Sequence, residues 1–182
     1  MAEFTNQGSG PAGQARAYTA AILGALGDRE PFEVLRETPA ALRRAVSGVA
    51  AQVLSTPEKP GKWSMLEVVL HLADTEIVGG WRFRMILAHD QPAIESYDQD
   101  LWSQRLHYAE ADLETALEQF SALRRANLRL LEPTTLEERK RFGIHAERGE
   151  ESVGHMIRMY AGHDLTHLRQ IARVHRAVTP GG

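Results

Sequence analysis

No cysteine occurs anywhere in the 182-residue chain. Disulfides, thiolate metal sites and a cysteine nucleophile are therefore excluded, and the absence is compatible with a reducing cytoplasm without requiring one. No run approaches the roughly 20 apolar residues of a membrane span. The opening residues, Met1-Ala2-Glu3-Phe4-Thr5-Asn6-Gln7-Gly8-Ser9-Gly10, lack the basic and apolar segments of a signal peptide. Basic blocks are missing too, and the formal net charge is −3. Binding to nucleic acid needs a concentrated basic face, so neither nucleic acid nor a membrane is expected as a partner. Several catalytic signatures are also absent: H-E-x-x-H, G-x-S-x-G and a glycine-rich phosphate loop. Glu67/His71 and Glu151/His155 are spaced E-x-x-x-H, not the E-x-x-H of di-iron bundles. These absences leave a soluble, cytoplasmic protein acting on a small molecule.

The apolar fraction, 43%, is enough for one domain with a sizeable core. Residues 1–12 are rich in glycine and polar side chains and read as a flexible segment. A single domain is expected over 13–178, with a tail at 179–182. Helical spacing covers residues 14–26, and Gly27 suits the helix end. Pro31 begins one short turn. Thr38-Pro39 reads as an N-cap with proline at the first helical position, opening a helix that ends near Val49. After the breakers Pro57, Pro60 and Gly61, Ser64 and Glu67 form a capping box. The helix they start runs to about His89, with Leu66, Val69, Leu70, Ala73, Ile77, Trp81 and Met85 as its inward stripe. Tyr97 to Trp102 reads as a loop and short helix, 111–131 as a long helix, and 136–140 as a turn. Residues 141–150 read as a loop or a small hairpin. The last helix covers 152–174. No strand alternation stands out, and the expected fold is an all-α four-helix bundle with short additional helices in its connections.

Within the last helix, Gly162-His163-Asp164-Leu165-Thr166-His167 places two imidazoles at i and i+4, one above the other on one face. Such a pair can grip a metal ion if a third ligand arrives from elsewhere. Of the eight histidines, His71 has the best placement, beside the apolar stripe of the capped helix. His89, His107, His145, His155 and His175 fall at helix ends or in expected loops. Three neutral imidazoles leave a coordination position open for water or substrate. Asp74 and Asp164 are candidates to accept the outer ring N–H groups. With eight histidines the spacing also arises by chance, and a lone inward histidine is commonly a hydrogen-bonded core residue.

Three stretches in order resemble the DinB/YfiT-like superfamily of metal-binding four-helix bundles. They are residues 62–76, with Trp63-Ser64-Met65-Leu66-Glu67 and His71-Leu72-Ala73-Asp74; Tyr97-Asp98-Gln99-Asp100-Leu101-Trp102; and residues 145–171, with His145-Ala146-Glu147-Arg148-Gly149 and Gly162 to Ile171. The resemblance covers about residues 15–175. It implies a divalent ion, zinc or nickel, on His71, His163 and His167. It also implies either an S-transferase using a low-molecular-weight thiol such as bacillithiol or a metal-dependent hydrolase. A non-catalytic, metal-stabilised binding protein is the remaining reading. For a transferase, Arg82 could bind a carboxylate of the thiol or substrate, although a solvated or ion-paired arginine is the ordinary expectation. Tyr160 is expected in the core. Asp74, Glu76 and Asp164 are the candidate general bases for hydrolysis, and an apolar bundle face could support a homodimer.

Overall fold

Helix ends follow the caps written into the chain. In the computed structural model, which describes residues 12–179, Ser64 and Glu67 close the capping box that starts α4 (Met65–Ala88). Asp112 caps α6 (Leu113–Leu131), and Ser152 caps α8 (Val153–Val178). The other helices are α1 (Ala12–Leu26), α2 (Pro31–Val46), α3 (Ala51–Leu54), α5 (Gln99–Arg105) and α7 (Leu136–Lys140). A single 3-10 turn spans Tyr108–Glu110. The expected flexible segment and tail fall almost wholly outside the described residues. Among the described residues, no helix is long and apolar enough to cross a membrane.

α2 packs on α6 and α8, and α4 packs on the same two, which closes a four-helix ring. α1 lies against α8. Two apolar clusters fill the ring. One contains Phe32, Leu35, Phe83, Ile86, Leu131 and Ile157; the other contains Leu42, Val46, Val69, Leu72, Phe120 and Ile171. Each bundle helix also buries a polar group: Thr38, Glu76, Arg124 and Asp164.

Three expectations are corrected. Pro39 does not open a helix; it lies inside α2, which is continuous from Pro31. Proline has no N–H to offer the carbonyl four residues earlier, and that carbonyl, on Leu35, accepts instead from Arg124 Nη1 at 2.9 Å. Secondly, Ile77 and Trp81 face outward, 47% and 64% exposed. Steps of four residues overshoot a helical turn by about 40° each, so a stripe that is inward at Ala73 has rotated out by Trp81. The inward positions beyond Ala73 are Glu76, Gly79, Gly80, Phe83 and Ile86. Thirdly, the all-α bundle carries a small sheet. Strands β1 (Ala93–Ile94) and β2 (Phe142–His145) are parallel, and β2 pairs antiparallel with β3 (Gly149–Ser152). Phe142 is opposite Ser152 and His145 is opposite Gly149, so the hairpin is the second of the two readings of residues 141–150.

Candidate metal centre

The capping box fixes where α4 begins, and His71 follows two turns in, buried to 1% exposure. α8 supplies His163 and His167. Gly162 sets the depth of that helix, because a Cβ there would collide with the backbone carbonyl of Ile22 on α1. The three rings turn their Nε2 atoms toward one point: His71 to His163 is 3.1 Å, and His167 to His163 is 3.0 Å. Trp63 packs against His71 with ring centroids 4.8 Å apart.

These residues fit a divalent ion. Two nitrogens bound to one tetrahedral zinc stand about 3.3 Å apart, close to these two separations, and the three ligand atoms all lie within 4.8 Å of one another. Gln170 Oε1 lies 2.8 Å from His167 Nδ1. An amide oxygen only accepts, so Nδ1 carries the proton and Nε2 presents its lone pair to the centre. Burial pulls His71 and His163 well below the usual imidazole value, and the neighbouring rings add to it. Burial brings His167 down to about 4, with the Gln170 bond opposing. All three are neutral at pH 7, as metal ligation requires. A cation at the centre would take a lone pair from each Nε2; without it these nitrogens can pair with one another through the tautomers of His71 and His163.

Asp74 and Asp164 do not accept from these rings. Asp74 takes the Tyr108 hydroxyl at 2.5 Å, and Asp164 is held by Arg124 at 2.6 Å. Glu76 is also bound by Arg124, at 2.9 Å. The orienting role therefore goes to Gln170, three residues after His167, and the outer nitrogens of His71 and His163 have no partner among the described residues. Only that i+3 spacing in the sequence pointed to Gln170.

A cavity of about 80 Å³ adjoins the centre, bordered by His71 and His163 and also by Thr75, Arg82, Tyr97, His145 and Tyr160. Tyr160 is not plain core. Its ring lies where a side chain on Gly79 would have to be, and the residue borders the cavity. Thr75 and Tyr97 share a hydrogen bond of 3.2 Å. Arg82 is neither solvated nor ion-paired among the described residues: it is 9% exposed and donates through Nη2 to the Glu95 carbonyl. His145 is not in a loop but at the end of β2, 1% exposed. Beside it Arg148 grips Glu151 through a fork, Nε to Oε1 at 2.6 Å and Nη2 to Oε2 at 2.9 Å. Burial works to raise Glu151, but the fork outweighs it and holds the carboxyl below its usual range.

Burial, then Arg148, draws His145 down to about 4, with Glu151 opposing and Arg82 assisting. An unfolded histidine titrates near 6.5. Between about 4 and 6.5 the unfolded chain binds a proton that the folded one does not, so stability falls as pH drops through that window and is complete above it. The expected loss from His145 is about 3 kcal/mol. Thermal melts of the EDTA-treated protein from pH 7 to 4 should show a steeper fall in Tm than melts of His145→Gln. Equal slopes would count against a neutral, buried His145.

The family model of the DinB superfamily matches residues 35–171. YfiT of Bacillus subtilis, named as a candidate metal-dependent hydrolase, is 31% identical over 146 residues, which are 80% of this chain and 82% of YfiT. A relative of the same description from Oceanobacillus iheyensis is 30% identical over 140 residues, 75% of this chain and 79% of its own. The solved structure of YfiT, reported with an unusual four-helix bundle topology, superposes with a TM-score of 0.76 at 26% identity. It covers 97% of this chain and 94% of that one.

Proposed function

Because the chain belongs to the DinB superfamily and its three converging imidazoles fit a divalent ion, we propose that it is a metal-dependent S-transferase. His71, His163 and His167 hold the ion, zinc or nickel, and a low-molecular-weight thiol such as bacillithiol is the cosubstrate. The observation that carries this reading is the engagement of the three acids read as candidate bases. Asp74, Glu76 and Asp164 are all bound to other side chains and none borders the cavity. A reaction whose nucleophile is activated by the ion alone suits such a site; one needing a carboxylate base does not.

When bound, the ion supplies the Lewis acidity that makes a coordinated sulfur a thiolate at neutral pH. The chain's own groups do the rest. The imidazoles stay unprotonated, Gln170 holds the ring of His167, Trp63 covers His71, and the cavity would hold the electrophile beside the three histidines. Hydrolysis is the second reading, favoured by the names of the relatives. It would have to recruit Glu147 or Glu151, the carboxylates that border the cavity, and Glu151 is already gripped by Arg148.

Parallel assays decide between them. Zinc- and nickel-loaded protein should accelerate conjugation of monochlorobimane with at least one of bacillithiol, cysteine or glutathione, and EDTA should abolish the effect. Metal-dependent cleavage of nitrophenyl esters with no thiol-dependent conjugation would reverse the assignment. Metal binding with neither activity would leave a binding protein.

A further inference from the structure

We propose that the cavity beside the three histidines is a carboxylate site, in which Arg82 Nε and His145 Nε2 take the anionic end of a small ligand whose other end reaches the ion. This deepens the metal-site reading and holds for either reaction.

Arg82 carries the argument. It is a cation at 9% exposure that donates to a backbone carbonyl, and its Nε–H has no partner among the described residues. Leaving a buried charged donor unpaired costs more than leaving a neutral one, because it has been taken from water without replacement. The nearby acid Glu151 feels the charge of Arg82, but both its oxygens are taken by Arg148. His145 adds the second donor. The backbone N–H of Glu147 donates to His145 Nδ1 at 3.2 Å, so the proton sits on Nε2, which is buried and has no partner. Both side chains border the cavity that His71 and His163 border. Arg82 lies eleven residues after His71, about 16 Å along the α4 axis, and its side chain leans back toward the N-terminal end.

The charge of the lining selects the class of anion. Arg82 and Arg148 are balanced by Glu147 and Glu151, so the formal sum is zero. A dianionic phosphate would meet two carboxylates with a single unengaged cation to hold it. A monoanionic carboxylate needs one charged and one neutral donor, and the structure offers that pair. Tyr18 and Tyr160 also border the cavity. Burial pushes both phenols above their usual value, so they stay protonated and can donate as well.

Matched probes test the site. The metal-free full-length protein is titrated calorimetrically with hexanoate and hexanol, and the cobalt-loaded protein with 6-mercaptohexanoate and 6-mercaptohexanol. The acid of each pair should bind about tenfold or more tightly than the alcohol. The preference should vanish in Arg82→Gln and shrink several-fold in His145→Gln. Arg82→Lys keeps the charge but not the Nε donor, so it should keep only part of the preference. Equal affinities of acid and alcohol in the wild type, or an undiminished preference in folded Arg82→Gln and Arg82→Lys, would overturn the site. The sulfur-to-cobalt absorption band reports separately on thiol ligation. If neither mercaptan produces it, the thiol reading fails, and the hexanoate–hexanol ratio still decides the carboxylate site.

Discussion

Arg124→Leu is expected to cost about 3–5 kcal/mol of stability, the penalty for removing one side of a buried ion pair. The guanidinium is 2% exposed and touches all the other bundle helices. Its Nη1 donates to Leu35 O on α2 at 2.9 Å and to Asp164 Oδ2 on α8 at 2.6 Å; its Nη2 donates to Glu76 Oε1 on α4 at 2.9 Å and to Asp164 Oδ1 at 3.1 Å. Asn127 adds a bond of 3.1 Å to Glu76 Oε2, and Arg124 also lies over the Phe120 ring, 4.8 Å from its centroid. Burial alone would lower the pKa of the guanidinium, but the Asp164 and Glu76 carboxylates raise it above the usual arginine value, so it stays charged.

Leucine would leave two carboxylates facing each other in an apolar layer. It would also leave the Leu35 carbonyl without a donor, since Pro39 cannot supply one. Against a typical total of 5–15 kcal/mol, the loss should lower Tm by about 10 °C or more. Carboxyls left unpaired in this layer would titrate above their unfolded value. The deficit should therefore be largest at neutral pH and shrink as pH falls and they protonate. Adding Glu76→Gln and Asp164→Asn to the leucine variant should recover part of the loss, because uncompensated charge, not lost volume, is its cause. Chemical denaturation at pH 7 measures it; a leucine variant within 1 kcal/mol of wild type would sink the account.

This polar layer also marks the boundary of what the chain disclosed. Caps were legible because they act over three residues: Ser64 with Glu67 fixed α4, and with it the position of His71. The pair His163/His167 was legible because helical spacing alone puts both on one face. Arg124 and Asn127 were not, since a polar residue on an amphipathic helix ordinarily points to water, and their partners come from three other helices. Asp164 and Glu76 were picked out as acids close to the histidines, but chain proximity could not tell a free carboxylate from one committed to an arginine 40 or 48 residues away. Pro39 has the same origin: a helix carries an internal proline where the freed carbonyl finds a tertiary donor. The hairpin stayed one of two readings because four-residue strands are too short to display alternation. His145 and Arg82 were visible as residues, but their shared cavity joins β2 to α4, a long-range contact with no local signature.

His163→Ala is expected to abolish stoichiometric binding of a divalent ion. Its Nε2 lies between the other two, 3.1 Å from His71 and 3.0 Å from His167, so no two-histidine site of the same geometry survives its loss. In the wild type, an ion at a thousandfold its dissociation constant adds about 4 kcal/mol to stability, and EDTA should take that away as a fall of about 10 °C in Tm. The alanine variant should show no response to EDTA. Gln170→Ala keeps all three ligands but removes the acceptor that fixes the His167 ring, and a 10- to 100-fold loss of affinity is expected, an intermediate case. Folding and binding separate cleanly here. In the metal-free state His163 contributes a buried Nδ1 with no partner among the described residues and Nε2 contacts to His71 and His167 whose donor is set by the tautomer. Truncating it removes these contacts and opens a cavity, so the metal-free variant should melt somewhat below the metal-free wild type, and the EDTA response, not the absolute Tm, reports the site. Should His163→Ala retain one ion per chain by elemental analysis, the ion is held elsewhere and the three-histidine assignment falls, whatever activity remains.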